Sequence, residues 1–172
     1  KPTGQTRKTG LIFIHGGGFS TGNRSQMLGY CNLLAQGGFH SVTISNRLTS
    51  QGHAYPAALQ DVRSAVSWMR ANASTLGIEP AIIVLIGYSA GGTLALSGGL
   101  SDRNIAGIVS VAGISDFAVA WAQTPHARLR RDIDAYLGST PPKDASPLEL
   151  VNRGDPPVFL FHGAKDTLVP VA

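Results

Sequence analysis

The sequence holds a single cysteine, Cys31, among 172 residues. One thiol excludes an internal disulfide and any cysteine-built metal cage. Set in a helical pattern, Cys31 reads as a small buried apolar residue rather than a nucleophile. Charge is also sparse, at 14% of residues, and 21 glycines stand beside it. That composition excludes a disordered acidic or basic tail and a coiled coil. The net charge of +4 is scattered. Its two small clusters, Arg7-Lys8 and Arg128-Leu129-Arg130-Arg131, lack the density and interleaved aromatics of a nucleic-acid surface and read as solvated. No apolar run approaches the roughly 18 residues of a membrane span. No signal-peptide pattern is present either. Because the chain opens at Lys1 rather than Met, that pattern's absence says little about export. The cytoplasm is the expected compartment, with secretion or the periplasm left open. Internal repeats, low-complexity segments and a second-domain boundary are missing too. Residues 1–172 therefore read as one domain, and 43% hydrophobic content suffices to bury a core.

What the sequence does contain is concentrated at Ile82 to Gly92. The unbroken apolar run Ile82 to Ile86 predicts a strand buried on both faces, as in a parallel sheet. It leads directly into Gly87-Tyr88-Ser89-Ala90-Gly91 and then a small-residue helix to about Gly98. A G-x-S-x-G sequence alone does not separate a nucleophilic serine from a structural turn. Between a buried strand and a helix it has the layout of a nucleophile elbow. Such a turn strains the serine backbone and turns its hydroxyl out of the sheet. The glycines let strand and helix pass, and the helix aims its first amides at the developing charge. Dinucleotide binding fits worse, since Ser89 stands where a second glycine belongs.

The rest of the chain alternates between strands and helices. Residues 1–9 read as a polar surface lead-in. Leu11 to Ile14 predicts a short buried strand opening into His15-Gly16-Gly17-Gly18-Phe19. A glycine triplet after a strand is costly in chain entropy, so it implies backbone that must approach something closely. Helices are expected over 23–36 and from Pro56 to Leu76, with a strand over Ser41 to Ser45. Strands follow at Ile105 to Ala112 and Pro157 to Phe161. Residues 117–156 read as an irregular insertion over the sheet rim, with one helix near Leu129 to Leu137. This alternation predicts an α/β fold, an open and mostly parallel sheet with helices on both faces. In such sheets ligands meet the carboxyl ends of the strands. His15 to Gly18, Ser89, Asp116 and Asp166 all follow strand ends and so share one rim.

Four ordered motifs carry a resemblance that spans nearly the whole chain: His15-Gly16-Gly17-Gly18-Phe19, His53-Ala54-Tyr55-Pro56-Ala57-Ala58, Gly87 to Gly92, and His162-Gly163-Ala164-Lys165-Asp166. Together they resemble the α/β-hydrolase fold of esterases and lipases. The resemblance is closest to the acetyl-esterase and feruloyl-esterase-like branch labelled BD-FAE. It implies Ser89 as acylated nucleophile and Asp166 as the acid that orients the base. It also implies an oxyanion hole built from the amides of Gly17, Gly18 and Ala90. The expected activity is hydrolysis of a small-molecule carboxylic ester with a short acyl group, through an acyl-serine, with no metal or organic cofactor. The alternatives are an arylformamidase-type amide hydrolase and a non-catalytic binding protein on the same scaffold.

Asp116 competes with Asp166 and is read as bracing its loop. Among the histidines, His15 is expected to brace the glycine loop, and His53 and His162 match structural positions. His40 begins a strand, and His126 lies in the rim insertion. None follows Asp166, where the order Ser, Asp, His would put the base. The family pattern also has further segments before residue 11 and after Asp166. The expectation is therefore an incomplete piece of an esterase, lacking the C-terminal segment that carries the histidine. A complementing segment or a homo-oligomer is the other way to supply it.

Overall fold

A computed structural model describes residues 6–171. The first five positions of the expected lead-in lie outside the described residues. The sheet has five strands, β1 (Gly10–Ile14), β2 (His40–Ile44), β3 (Ile83–Tyr88), β4 (Gly107–Val111) and β5 (Val158–Phe161), in the order β2-β1-β3-β4-β5. Every pairing is parallel. Such pairings need crossover connections, and helices supply the first three. These are α1 (Leu28–Gln36), α2 (Ala57–Ala71) with the short α3 (Ala73–Leu76), and α4 (Ala90–Leu100). The expected helix over 23–36 divides. Asn23 caps a single 3-10 turn, Arg24–Met27, and the α-helix begins after it.

Register decides which side chains share a face. Phe13, Ile86 and Val109 are paired neighbours, as are Tyr88, Val111 and Phe161 one step nearer the rim. On the opposite face, Ile12, Ile14, Ile83, Leu85 and Ile108 are buried with Leu59, Val62, Val66 and Met69 of α2 and Leu94 of α4. The face holding Phe13 is covered by α1, where Leu11, Phe13, Met27 and Cys31 form a smaller cluster. Burial there raises the pKa of the Cys31 thiol. The expected burial of β3 on both faces holds for one face only. Ile83, Leu85 and Gly87 are buried, whereas Val84 and Ile86 are partly buried and Tyr88 is exposed. α1 reaches β1 and β2 but leaves the β3–β5 half of that face open, and every residue of β5 is exposed.

All eleven residues of α4 are buried between the sheet and α2. Its small side chains set that distance. A Cβ at Gly98 would lie 2.9 Å from Val62 Cγ1, and one at Gly99 would collide with Ile108. Glycine in a helix interior costs roughly 1 kcal/mol each; close helix–sheet contact offsets it here.

The stretch 117–156 is mainly helical, contrary to its irregular reading. It contains α5 (Phe117–Gln123), α6 (Ala127–Leu137), α7 (Pro142–Ala145) and a 3-10 turn at Pro147–Leu150. Its prolines open or flank these short elements rather than breaking them. Among the described residues no helix is long and apolar enough to cross a membrane.

Substitution tests this one-sided core. In the 172-residue chain Ile83→Ala should cost about 2–5 kcal/mol of unfolding free energy, and exposed Leu33→Ala no more than about 0.5. Urea titrations of both variants check the contrast, and equal losses would contradict it.

Candidate active site

Ser89 follows the last residue of β3 and precedes the first of α4, at φ 54° and ψ −123°. A left-handed φ is strained for a side-chain-bearing residue, at a cost of order 1–3 kcal/mol, and must be held by its surroundings. Here the Ser89 N–H donates to the Val111 carbonyl at 2.8 Å, and the Ser89 carbonyl accepts from Thr93 N–H at 3.1 Å. Both flanking glycines are required by contact. A Cβ at Gly87 would run into the Gly91 backbone, and one at Gly91 into the carbonyl oxygens of Ile14 and His15. The elbow is therefore pressed against the loop that leaves β1.

That loop lies beside the serine. A Cβ at Gly16 would be 3.2 Å from Ser89 Cβ and 3.0 Å from the Tyr88 carbonyl oxygen. Gly17 and Gly18 have φ of 119° and 59°. A Cβ at Gly17 would strike the Thr21 carbonyl, and one at Gly18 the Asp132 carboxylate. The close approach inferred from the triplet is thus met by three different neighbours. The turn is closed by Ser20 N–H and Thr21 N–H, donating to the Gly17 carbonyl at 3.1 and 3.0 Å. Among the described residues the N–H groups of Gly17 and Gly18 donate to no protein acceptor. Ala90, as the first amide of α4, has no intrahelical acceptor. Three N–H groups without a described acceptor thus belong to two segments that touch at Gly16 and the half-buried Ser89.

An aromatic stack holds the far end of the loop. Phe19, at φ 60°, lies with its ring 3.9 Å from that of buried Tyr136 in α6, and Phe117 of α5 packs on both. Thr49 N–H donates to the Phe19 carbonyl at 3.0 Å. Sequence reading missed this stack. Phe19 and Tyr136 are 117 positions apart, and the only available signal was the apolar periodicity of Leu129, Ile133, Tyr136 and Leu137, which marks a buried face but not its partner.

Asp166 lies in the turn that follows β5, two strands along the sheet from β3. Its Oδ1 accepts from Leu168 N–H at 2.9 Å and Val169 N–H at 3.0 Å. Its Oδ2 is 3.6 Å from His162 Nε2, which itself lies 2.7 Å from the Val169 carbonyl. One oxygen is tied into a turn, and the other is left for a further donor. Asp116 is engaged differently: Oδ1 caps α5 through Ala118 N–H and Val119 N–H. It braces its loop, as expected.

His15 is buried, with Nδ1 2.7 Å from the Gly16 carbonyl, so it serves the loop. His40 sits at the opposite end of the sheet from Ser89 and His126 at the start of α6. No hydrogen bond links Ser89 Oγ to a histidine among the described residues. The arrangement thus gathers a strained serine, a glycine loop pressed against it and a turn-held carboxylate after β5.

A model of the BD-FAE family matches residues 1–172. Esterase LipC of Mycobacterium tuberculosis is 32% identical over 187 residues, which cover 94% of this chain and 45% of LipC. The probable carboxylic ester hydrolase LipM of the same organism is 30% identical, with 94% and 42% covered. Among solved structures, Thermogutta terrifontis esterase 2 phosphonylated by sarin superposes with a TM-score of 0.83 at 25% identity, covering 96% of this chain and 65% of that one. Its butyrate-bound form gives 0.79 at 26%, with 96% and 64% covered. The chain spans less than half the length of the two mycobacterial relatives.

The aromatic stack yields a stability test. Tyr136 Oη is buried without a hydrogen-bond partner. Tyr136→Phe should therefore leave stability unchanged or raise it by about 1 kcal/mol, since an unpaired buried hydroxyl carries a desolvation cost. A loss of 1 kcal/mol or more in thermal or urea unfolding would contradict this.

Proposed function

The chain belongs to the BD-FAE family, and from that premise we propose that it supplies the nucleophile, oxyanion donors and acid of a serine carboxylic-ester hydrolase. The observation that carries this reading is a strained serine held against a glycine loop whose amides at Gly17 and Gly18 meet no described acceptor. In the proposed reaction a histidine brought between Ser89 and Asp166 takes the proton of Ser89 Oγ. That oxygen then bonds to the acyl carbon, and the carbonyl electron pair moves onto the carbonyl oxygen. The amides of Gly17, Gly18 and Ala90 hold that oxyanion, each such donor being worth roughly 3–4 kcal/mol of barrier. The tetrahedral intermediate expels the alcohol oxygen, which receives the histidine's proton. Water then repeats the sequence and frees Ser89. Asp166 Oδ2 holds the imidazole in the useful tautomer and supports its positive charge.

Among the described residues no histidine hydrogen-bonds the Ser89 hydroxyl. We therefore assign the complete activity to the full-length protein or an assembly that provides one. Sarin modification of the Thermogutta esterase supports a phosphonylatable serine in this fold, and its butyrate complex supports a short acyl group. The intact nucleophile, acid and glycine loop favour an enzyme over an inert binder, which would need none of the three together. Comparing turnover of a nitrophenyl acetate with N-formylkynurenine separates esterase from arylformamidase.

A fluorophosphonate probe applied to the natural full-length protein should label Ser89 and not Ser89→Ala. An unlabelled Ser89 in folded protein would remove the enzyme reading. Asp166→Asn should lower kcat by about a thousandfold or more. Asp116→Ala should instead cost about 1 kcal/mol of stability, the usual value of a helix cap, and keep turnover. Equal kinetic losses in the two would reverse the assignment of the acid.

A further inference from the structure

Among the described residues, Asp132 is the carboxylate set against the glycine loop that the proposed reaction does not use. It projects from α6, and its Oδ2 occupies the space a side chain on Gly18 would fill. Its side chain is only 20% exposed. Despite that burial it makes no hydrogen bond with any described residue. Its nearest cation is Arg128 Nε at 3.8 Å, well beyond the roughly 2.7–2.9 Å of a charge-assisted bond. Its oxygens are not among the buried polar atoms left without a partner, so the carboxylate opens to solvent beside the glycine loop, where a ligand could reach it.

The loop does not supply a reason for this carboxylate. Its turn is closed by Ser20 and Thr21 on the Gly17 carbonyl, and its end is fixed by the Phe19–Tyr136 stack and the Thr49 amide. None of these bonds involves Asp132. Burial pushes the Asp132 carboxyl upward, while Arg128 and Arg131 pull it down. An uncharged hydrogen-bond donor is therefore the partner the site suits. A cation would meet the two arginines, and an anion would meet the carboxylate. Gly18 and Gly16 are two residues apart, and Gly16 touches Ser89. Asp132 therefore lies on the order of 10 Å from the nucleophile along the loop, within the span of a small ester.

Resting on the esterase reading above, we propose that Asp132 is a substrate-selecting residue: its carboxylate accepts a hydrogen bond from a free hydroxyl near the scissile ester. Substrates carrying such a hydroxyl are then preferred over the same ester without it. Glycerol 1-acetate and propyl acetate form a matched pair that differs in this feature.

The experiment is the ratio of kcat/KM for glycerol 1-acetate over propyl acetate, measured on the full-length protein and on Asp132→Ala and Asp132→Asn. A ratio cancels any loss of folded enzyme common to both esters. Asp132→Ala should lower it about tenfold, the size of one hydrogen bond to a charged acceptor. Asp132→Asn, which keeps one carbonyl oxygen, should lower it by less. A ratio unchanged in Asp132→Ala overturns the proposal even where both absolute rates fall, because that pattern belongs to a prop for the loop. Failure of the unsubstituted protein to hydrolyse propyl acetate would instead remove the esterase reading, and the proposal with it.

Discussion

The structure depends on a backbone contact that no side chain makes. Gly91, the second residue of α4, sits against the carbonyl oxygens of Ile14 and His15 where β1 gives way to the glycine loop. Gly87 in turn sits against the backbone of Gly91. Three segments of the chain are thereby brought to van der Waals distance without a Cβ between them. Interiors are packed densely enough that such contacts transmit position rather than absorb it. The strained φ of Ser89 follows from that junction, and so does the placement of Gly16 against its side chain. Exposed at the end of a loose turn, the same serine would have no fixed relation to the amides of Gly17 and Gly18.

The outer side of the site is secured by different means. Phe19 is clamped among Tyr136, Phe117 and the loop at Thr49, so α5 and α6 act as a buttress for the rim. Arg47 reinforces the ground beneath, with its backbone N–H on Asp61 Oδ2 at 2.7 Å and its guanidinium on Asp61 and the Ala57 carbonyl. Backbone contact sets Ser89, and side-chain packing sets the far end of the glycine loop. The two supports meet at Gly16, which lies between the aromatic stack and the elbow.

Much of this was legible in the sequence because it is local. The run from Ile83 to Gly91 carries its own strand, turn and helix signals, and the triplet at Gly16 to Gly18 announced close approach before any neighbour was known. What the residues did not disclose is what lies opposite them. Val84 and Ile86 are as apolar as Ile83 and Leu85, yet only the latter two are buried, because α1 stops short of that half of the sheet. The prolines at 141, 142 and 147 argued for irregular chain, but short helices tolerate proline in their first turn. Nothing in the sequence around Asp132 singled it out. Its position against Gly18 depends on tertiary packing that has no periodic signature.

The central claim is geometric: amides from two loops bracket one point beside Ser89. A crystal structure of the full-length protein after reaction with a phosphonate would test it most directly. The phosphonyl oxygen on Ser89 should lie about 2.7–3.1 Å from the Ala90 nitrogen and from at least one of the Gly17 and Gly18 nitrogens. An adduct whose oxygen points to solvent, with those nitrogens out of hydrogen-bonding range, would contradict the account.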